Sequence, residues 1–182
     1  MGTDKKMNYT MMGNDVNLAA RLEGVNKVYH TWILVSESTW LAADSGENKG
    51  KIVARRMDKV RVVGINKPVQ LYNIVGLRSE MSEDELKSVD LFHQGLDRYL
   101  QRDFVNAKKQ AELGITYDDS ISDLYYVKAA TQVKENKLRA EVIATIKTAF
   151  EKNNWIGYSL NGARILLADI LCETKMYDES LE

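Results

Sequence analysis

An asparagine and an arginine, Asn17 and Arg21, stand four residues apart in the stretch NYTMMGNDVNLAARLEG at residues 8–24. On a helix this spacing places both side chains on one face, one turn apart. The guanidinium of Arg21 can offer a planar fork of donors to phosphate oxygens, and the amide of Asn17 can donate to a ribose oxygen. The residues alone are compatible with a phosphate-ester site or with a solvated helix face, and spacing by itself favours the solvated face.

A strand and a helix must position these side chains. Residues Met7–Met12 predict a strand that ends at Gly13, and Thr10 lies on it, where its hydroxyl could contact the edge of a base. Asn14 or Asp15 can cap the helix that follows. The amides at that helix start would favour a bound anion.

The helix itself is predicted to run to about Tyr29. Leu18, Leu22 and Val25 recur at the spacing of one buried helical stripe. The face that carries the asparagine and the arginine is offset from this stripe. We therefore expect the pair to remain outside the core.

The rest of the first part predicts a small α+β unit. Ser36 is in position to cap a short helix, and Pro68 opens a strand, where proline least disturbs the ladder. The predicted elements are a strand at Ile33–Ser36, a helix at Glu37–Asp44, and a hairpin of strands Ile52–Val63 and Val69–Val75 that turns at Ile65–Lys67.

The pattern becomes helical after residue 78. The acidic segment Arg78–Glu85 predicts a linker and a helix start, with Ser82 and Glu85 forming a capping box. The predicted helices are Glu85–Gln101, Phe104–Leu113, Ser120–Gln132 and Arg139–Lys152, followed by a last hairpin from about Gly157.

Composition narrows the class of protein. Of 182 residues, 45% are hydrophobic and 28% charged, which is typical of a soluble globular chain of one or two domains. Lys and Arg total 25 against 26 Asp and Glu, a balance that gives no support for nucleic acid or a membrane surface as a partner. The lone cysteine, Cys172, excludes an internal disulfide, and there is no pattern of a secretory signal. We expect a cytoplasmic protein.

Residues 8–24, as the pattern NYTxxGxxVNxAARLEG, resemble the C-terminal signature of the class III adenylate and guanylate cyclases. LVSESTW at 34–40 and KVRVVGINKPVQLYNIVG at 59–76 resemble the elements that follow it in that family. The resemblance implies that residues 1–77 are the C-terminal portion of a cyclase catalytic domain, a partial ferredoxin-like α/β fragment. It also implies that most of that domain would lie before Met1.

The resemblance implies roles for three residues. Asn17 matches the asparagine that orients the ribose, and Arg21 matches the arginine that stabilises charge on the α-phosphate as the 3′-hydroxyl attacks. Thr10 matches a position that reads adenine. The implied reaction converts ATP to cyclic AMP and pyrophosphate, and it supports signal transduction.

The resemblance also implies a second subunit. Family sites form at a dimer interface, where two Mg or Mn ions bind aspartates of the earlier half of the domain. No segment of this chain matches that half, so the isolated chain is expected to be inactive. Val63 stands where many relatives carry a lysine that contacts the triphosphate.

The region after the linker at 78–84 resembles tetratricopeptide repeats, although no unit carries the whole consensus. Residues 85–182 would then form all-α helical hairpins with a protein partner. Three functions stay open: a fragment of an adenylate cyclase, a non-catalytic partner that complements or regulates a cyclase, and a helical interaction module.

Overall fold

The computed structural model describes residues 2–3, 6–7, 13–29, 31–61, 67–135 and 139–152. Within these ranges the strands are β1 (Gly2–Thr3), β2 (Lys6–Met7), β3 (Leu34–Ser36), β4 (Ile52–Val60) and β5 (Val69–Leu77). The α-helices are α1 (Asn14–Tyr29), α2 (Glu37–Ala43), α3 (Glu83–Leu100), α4 (Phe104–Tyr117), α5 (Ser122–Lys134) and α6 (Arg139–Lys152). A small sheet with several helices is compatible with the predicted α+β class.

The main sheet is antiparallel, with the order β3–β5–β4. Strands β1 and β2 form a separate two-stranded ladder. In the main sheet Arg56 pairs with Tyr72 and Lys59 with Gln70, so two residues of β4, Met57 and Asp58, stand opposite Leu71 alone. This extra residue is a β-bulge, a feature that bends a strand and redirects its side chains.

Helix α1 packs on this sheet through an apolar cluster. Its predicted stripe is confirmed, because Leu22 is buried and both Leu18 and Val25 pack against the cluster. The buried members of the cluster are Leu22, Tyr29, Leu34, Met57 and Leu71. The cluster therefore joins α1 to all three strands of the sheet.

The four α-helices that the structure describes between residues 83 and 152 pack in chain order, α3 on α4, α4 on α5 and α5 on α6. One apolar core joins α3, α4 and α5 and also includes Val53 of β4. A second core lies between α5 and α6, around Ile146 and Phe150. Because Val53 belongs to the first core, the sheet and the helices share buried apolar surface.

Helix α3 covers the outer edge of β4. The backbone N–H of Arg56 donates to Nε2 of His93 at 3.0 Å, and the Arg56 guanidinium pairs with Asp97 at 2.5 Å. An edge strand otherwise presents unpaired backbone groups that invite pairing with another chain. His93, on α3, accepts a hydrogen bond from one of these groups, the N–H of Arg56.

Several predicted boundaries agree with the structure and others differ. The capping box is confirmed, since the Ser82 hydroxyl accepts from the Glu85 N–H and the Glu85 carboxylate accepts from the Ser82 N–H. Helix α4 continues to Tyr117, four residues past its predicted end. Its Gly114 is buried and packs against α5 rather than ending the helix.

Some predicted elements fall on residues outside those described. They are most of the strand before α1, the turn between β4 and β5, and the last hairpin from Gly157 with Cys172. Strand β4 ends at Val60, short of the predicted Val63, and residues 62–66 lie outside the described part.

Replacing Gly114 with alanine is expected to destabilise the protein. The added Cβ would lie 2.8 Å from Cδ2 of Leu124, a fully buried side chain with little room to move. Overpacking of this kind costs about 1–3 kcal/mol of the free energy of unfolding. Urea denaturation measures it.

Gly24→Ala is the matched control for that substitution. Gly24 lies within α1, and outside its own helical turn no atom of the described residues lies within 4 Å of its added Cβ. Because alanine has a better helix propensity than glycine, Gly24→Ala is expected to increase the free energy of unfolding by about 0.5–1 kcal/mol. A Gly114→Ala protein as stable as the parent would contradict the packing argument.

Stability is expected to fall when the pH drops below about 6.5, the ordinary pKa of histidine. Burial, and then the positive charge of Arg56, lower the pKa of His93 in the folded protein. Between the lowered pKa and the ordinary one, the unfolded chain takes up a proton that the folded chain resists. Protonation of Nε2 would also remove the acceptor for the Arg56 N–H. Urea midpoints measured from about pH 8 to about pH 5 test this.

His93→Gln is the control for the pH measurement. A glutamine can still accept from the backbone N–H, and it does not titrate. The part of the fall in stability at low pH that is caused by His93 should therefore be absent in this variant. An unchanged pH slope in the variant would assign the effect to other groups.

Candidate functional site on helix α1

The predicted pair lies on the exposed face of α1. Asn17 and Arg21 are both exposed, and neither side chain forms a hydrogen bond or an ion pair with another residue that the structure describes. The Asn17 N–H donates to the Gly13 carbonyl at 3.1 Å, which starts the helix just before the pair. Leu22 points the other way, into the core. The amide and the guanidinium are thus both open to a ligand.

Two other residues that the sequence singled out lie outside the described part. They are Thr10, the predicted base-reading residue, and Val63, at the position of the family lysine. Their roles stay predictions.

A groove of about 580 Å³ lies next to the pair, between α1 on one side and β3 with α2 on the other. Leu18, Leu22 and Leu34 line it, together with the hydroxyls of Ser36 and Thr39. The side chains of Asn17 and Arg21 do not line it. The exposed Asn17–Arg21 pair and the groove are therefore separate features of α1.

Charge also argues against the groove as a phosphate site. Asp15 and Glu23 are among its lining residues, and no lysine or arginine is. Carboxylates repel a triphosphate, whereas a phosphate site needs cationic or N–H donors. Any phosphate contact from α1 is expected on the open face beside Arg21.

The far end of α1 is held by a buried tyrosine. The Tyr29 hydroxyl donates to Oδ2 of Asp58 at 2.9 Å, and Asp58 lies in the bulge of β4. Burial, and then the nearby Asp58 carboxylate, raise the pKa of Tyr29, so the hydroxyl keeps its proton and remains a donor. This contact fixes the helix end two turns beyond Arg21.

The contact between Tyr29 and Asp58 was not predicted from the sequence. A tyrosine at a helix end is ordinarily assigned to the core, and an aspartate near a strand end is assigned to the surface. The one signal in the sequence was that Asp58 is an acidic residue in a strand whose other residues are apolar or basic. Its partner could be identified only once the bulge was known.

No set of three or more His, Cys, Asp or Glu side chains in the described part of the chain is placed to hold a metal ion. The described helices also include none long and apolar enough to cross a membrane.

Two proteins named as adenylate cyclases are similar to this chain. The terminal-differentiation-specific adenylate cyclase of Dictyostelium discoideum is 28% identical over 142 residues, 76% of this chain and 7% of that protein. Adenylate cyclase 1 of Rhizobium meliloti (strain 1021) is 32% identical over 77 residues, 42% of this chain and 11% of that protein. No protein-family profile matches the chain.

These similarities support a relationship to adenylate cyclases. The chain spans about a tenth or less of the length of each relative. The longer match covers 76% of 182 residues, so wherever it begins it must cross the junction between the sheet and the helices. The similarity to that relative thus includes strands β4 and β5 and extends into the helical part.

Alanine at Asn17 or Arg21 is expected to leave stability within about 0.5 kcal/mol of the parent, because both side chains are exposed and lack partners among the described residues. Leu22→Ala, one position along the same helix, should cost about 2–5 kcal/mol, because Leu22 is buried. Urea denaturation of the three variants checks this. A large loss for Asn17→Ala or Arg21→Ala would mean that the side chain has a structural role.

Proposed function

We propose that this chain supplies the asparagine and arginine side of an adenylate cyclase site of class III. Asn17 orients the ribose of ATP, and Arg21 stabilises the charge that develops on the α-phosphate. The products are cyclic AMP and pyrophosphate. Thr10 contributes to adenine recognition, and the protein works in the cytoplasm.

One observation carries the proposal. Asn17 and Arg21 are exposed on one face of α1, free of other described partners, in a chain similar to two proteins named as adenylate cyclases. A polar pair on a purely solvated surface would be equally exposed. The similarity is what favours the catalytic interpretation over the solvated one.

Arg21 suits the proposed role because its donors are not already in use. A guanidinium is always charged at neutral pH and can bind two phosphate oxygens at once. A donor held on a packed helix needs little rearrangement as charge develops on the phosphate, and such preorganised groups often provide the largest catalytic contribution. The packing of Leu22 and the Tyr29–Asp58 contact hold the helix in place.

The proposed site is completed by a second cyclase subunit. That subunit supplies the carboxylates for Mg or Mn, and the described residues of this chain offer no such cluster. The chain alone is proposed to be inactive.

Complementation tests the proposal. This chain is mixed with a cyclase subunit that keeps its metal carboxylates but lacks its own asparagine and arginine, and the conversion of labelled ATP is measured. The parent chain should restore cyclic AMP formation. Asn17→Ala and Arg21→Ala should each reduce the restored rate about 100- to 1,000-fold, as does loss of one transition-state donor.

Lys27→Ala is the matched control for that assay. Lys27 is an exposed cation on the same helix, in its last turn, and its loss should change the rate little. No restoration by the parent chain, or full restoration by the Arg21→Ala chain, would contradict the proposal.

A second function is proposed for the helices α3–α6, which would form repeat-like hairpins that bind a protein partner. Their packing in chain order supports this, as do the exposed apolar side chains of Leu100, Val105 and Leu113. Capture experiments with Leu100→Ser and Val105→Ser chains test it. Unchanged capture by both variants would argue against this surface.

A further inference from the structure

Strand β4 is attached to helix α5 by a buried ion pair. Nε of Arg55 lies 3.2 Å from Oδ2 of Asp123, and their side chains are only 16% and 7% exposed. Asp123 is in the first turn of α5. Strand and helix are therefore joined by opposite charges with little access to water.

The pair is close but poorly aligned. Although the two atoms are within ion-pair distance, neither finds a hydrogen-bond partner among the described residues. Burial raises the pKa of Asp123, and the positive charge of Arg55 opposes that rise. A buried pair of this geometry is weak support for stability, but separating it leaves a buried charge alone, which is costly. It therefore resists displacement of α5 from β4.

Three residues further along, the same strand is attached to α1. Asp58 in the bulge accepts the hydrogen bond from Tyr29, a buried residue that is 4% exposed. The amide of Gln70 donates to the carbonyls of Met57 and Asp58, at 2.5 and 3.3 Å. The bulge is thus held by β5, and its direction toward α1 is fixed.

The two attachments are near each other. Asp58 contributes more than Asp123 to raising the pKa of Tyr29, but both carboxylates contribute after burial itself. Asp58 and Asp123 also line one cavity of about 300 Å³ between β4 and the helices, with Tyr126 on its α5 side. Near Asp58, β4 and the helices are therefore connected by individual polar contacts on either side of a cavity.

We propose that β4 couples the helical part of the chain to α1, with Arg55 and Asp123 as the attachment on one side and Asp58 and Tyr29 as the attachment on the other. A shift of α5 would move the bulge, and the bulge would move the end of the helix that carries Asn17 and Arg21. The four residues are positioning residues. This role deepens the proposed function and rests on it.

The competing explanation is that the pair only stabilises the fold. In that case, weakening it would loosen α5, or the whole protein, without a specific effect on α1. Hydrogen exchange separates the two explanations, because it reports each helix individually.

Hydrogen exchange of the intact chain is compared for the parent and for Asp123→Asn. Amides of residues 14–29 are expected to exchange roughly 2- to 30-fold faster in the variant, the range of couplings transmitted through contiguous contacts. Asp119→Asn is the matched control. It makes the same chemical change four residues earlier, at an exposed ion pair with Lys152, and should leave α1 unchanged. Faster exchange in α5 with no change in α1 would overturn the proposal, as would an equal effect of both variants.

Coupling between two sites is reciprocal, so the reverse experiment is also decisive. Tyr29→Phe removes only the hydroxyl and keeps the ring in its cluster. It should speed exchange of the amides of α5 that lie past its first turn. If Asp123→Asn fails to fold, this variant alone still decides, because unchanged protection of α5 would overturn the proposal.

A double variant measures the coupling directly. If the attachments act through one strand, the effects of Tyr29→Phe and Asp123→Asn on exchange should deviate from independence by about twofold or more. Independent effects would overturn the proposal. None of these measurements uses cyclase activity, so failure of complementation would contradict the proposed function without affecting the exchange result.

Discussion

Strand β4 belongs to two apolar cores at once, and this constraint organises the molecule. Val53, near its start, is buried with α3, α4 and α5, whereas Met57 is buried with α1. A bulge lies between Arg56 and Lys59, so the strand is bent where it turns from one core to the other. The sheet cannot be placed against α1 without also being placed against the helices. The attachments at Arg55 and Asp58 follow from that double burial.

Helix α1 has three faces with different surroundings. One face is buried and holds the helix on the sheet, a second lines the acidic groove, and a third presents Asn17 and Arg21 to solvent. Such a division leaves the side chains of the exposed pair outside the core that holds the helix on the sheet. It also explains why the pair alone identifies no reaction, and why similarity to two adenylate cyclases carries so much of the functional argument.

Much of the local structure follows from short-range signals. The helix from Asn14, its stripe at Leu18 and Leu22, and the capping box at Ser82 need only neighbours in sequence, and the structure contains all of them. The end of α4 was predicted wrongly because Gly114 has two uses. A glycine can end a helix or allow close packing, and the close approach of Leu124 shows that Gly114 allows close packing.

What the sequence could not predict depends on distant partners. The division at 78–84 marks a change of pattern, yet Arg56 and His93 lie on either side of it and are joined by a hydrogen bond. Nothing in the residues around Asp58 indicates a bulge, so its contact with Tyr29 needed the three-dimensional register. The exposure of the site pair was predicted, because it depends on helical periodicity alone.

Helix α3 covers the outer edge of β4, and this arrangement has a consequence for the order of folding. The helices contact their neighbours in the chain, whereas β3 pairs Leu34 with Asn73 across most of the first part. Local contacts form faster than distant ones, and a chain made from its N-terminus presents its hairpin before the helix that covers it. During that interval the outer edge of β4 is open to pairing with another chain. The positive charges of Arg55, Arg56 and Lys59 make such edge-to-edge association unfavourable until α3 arrives.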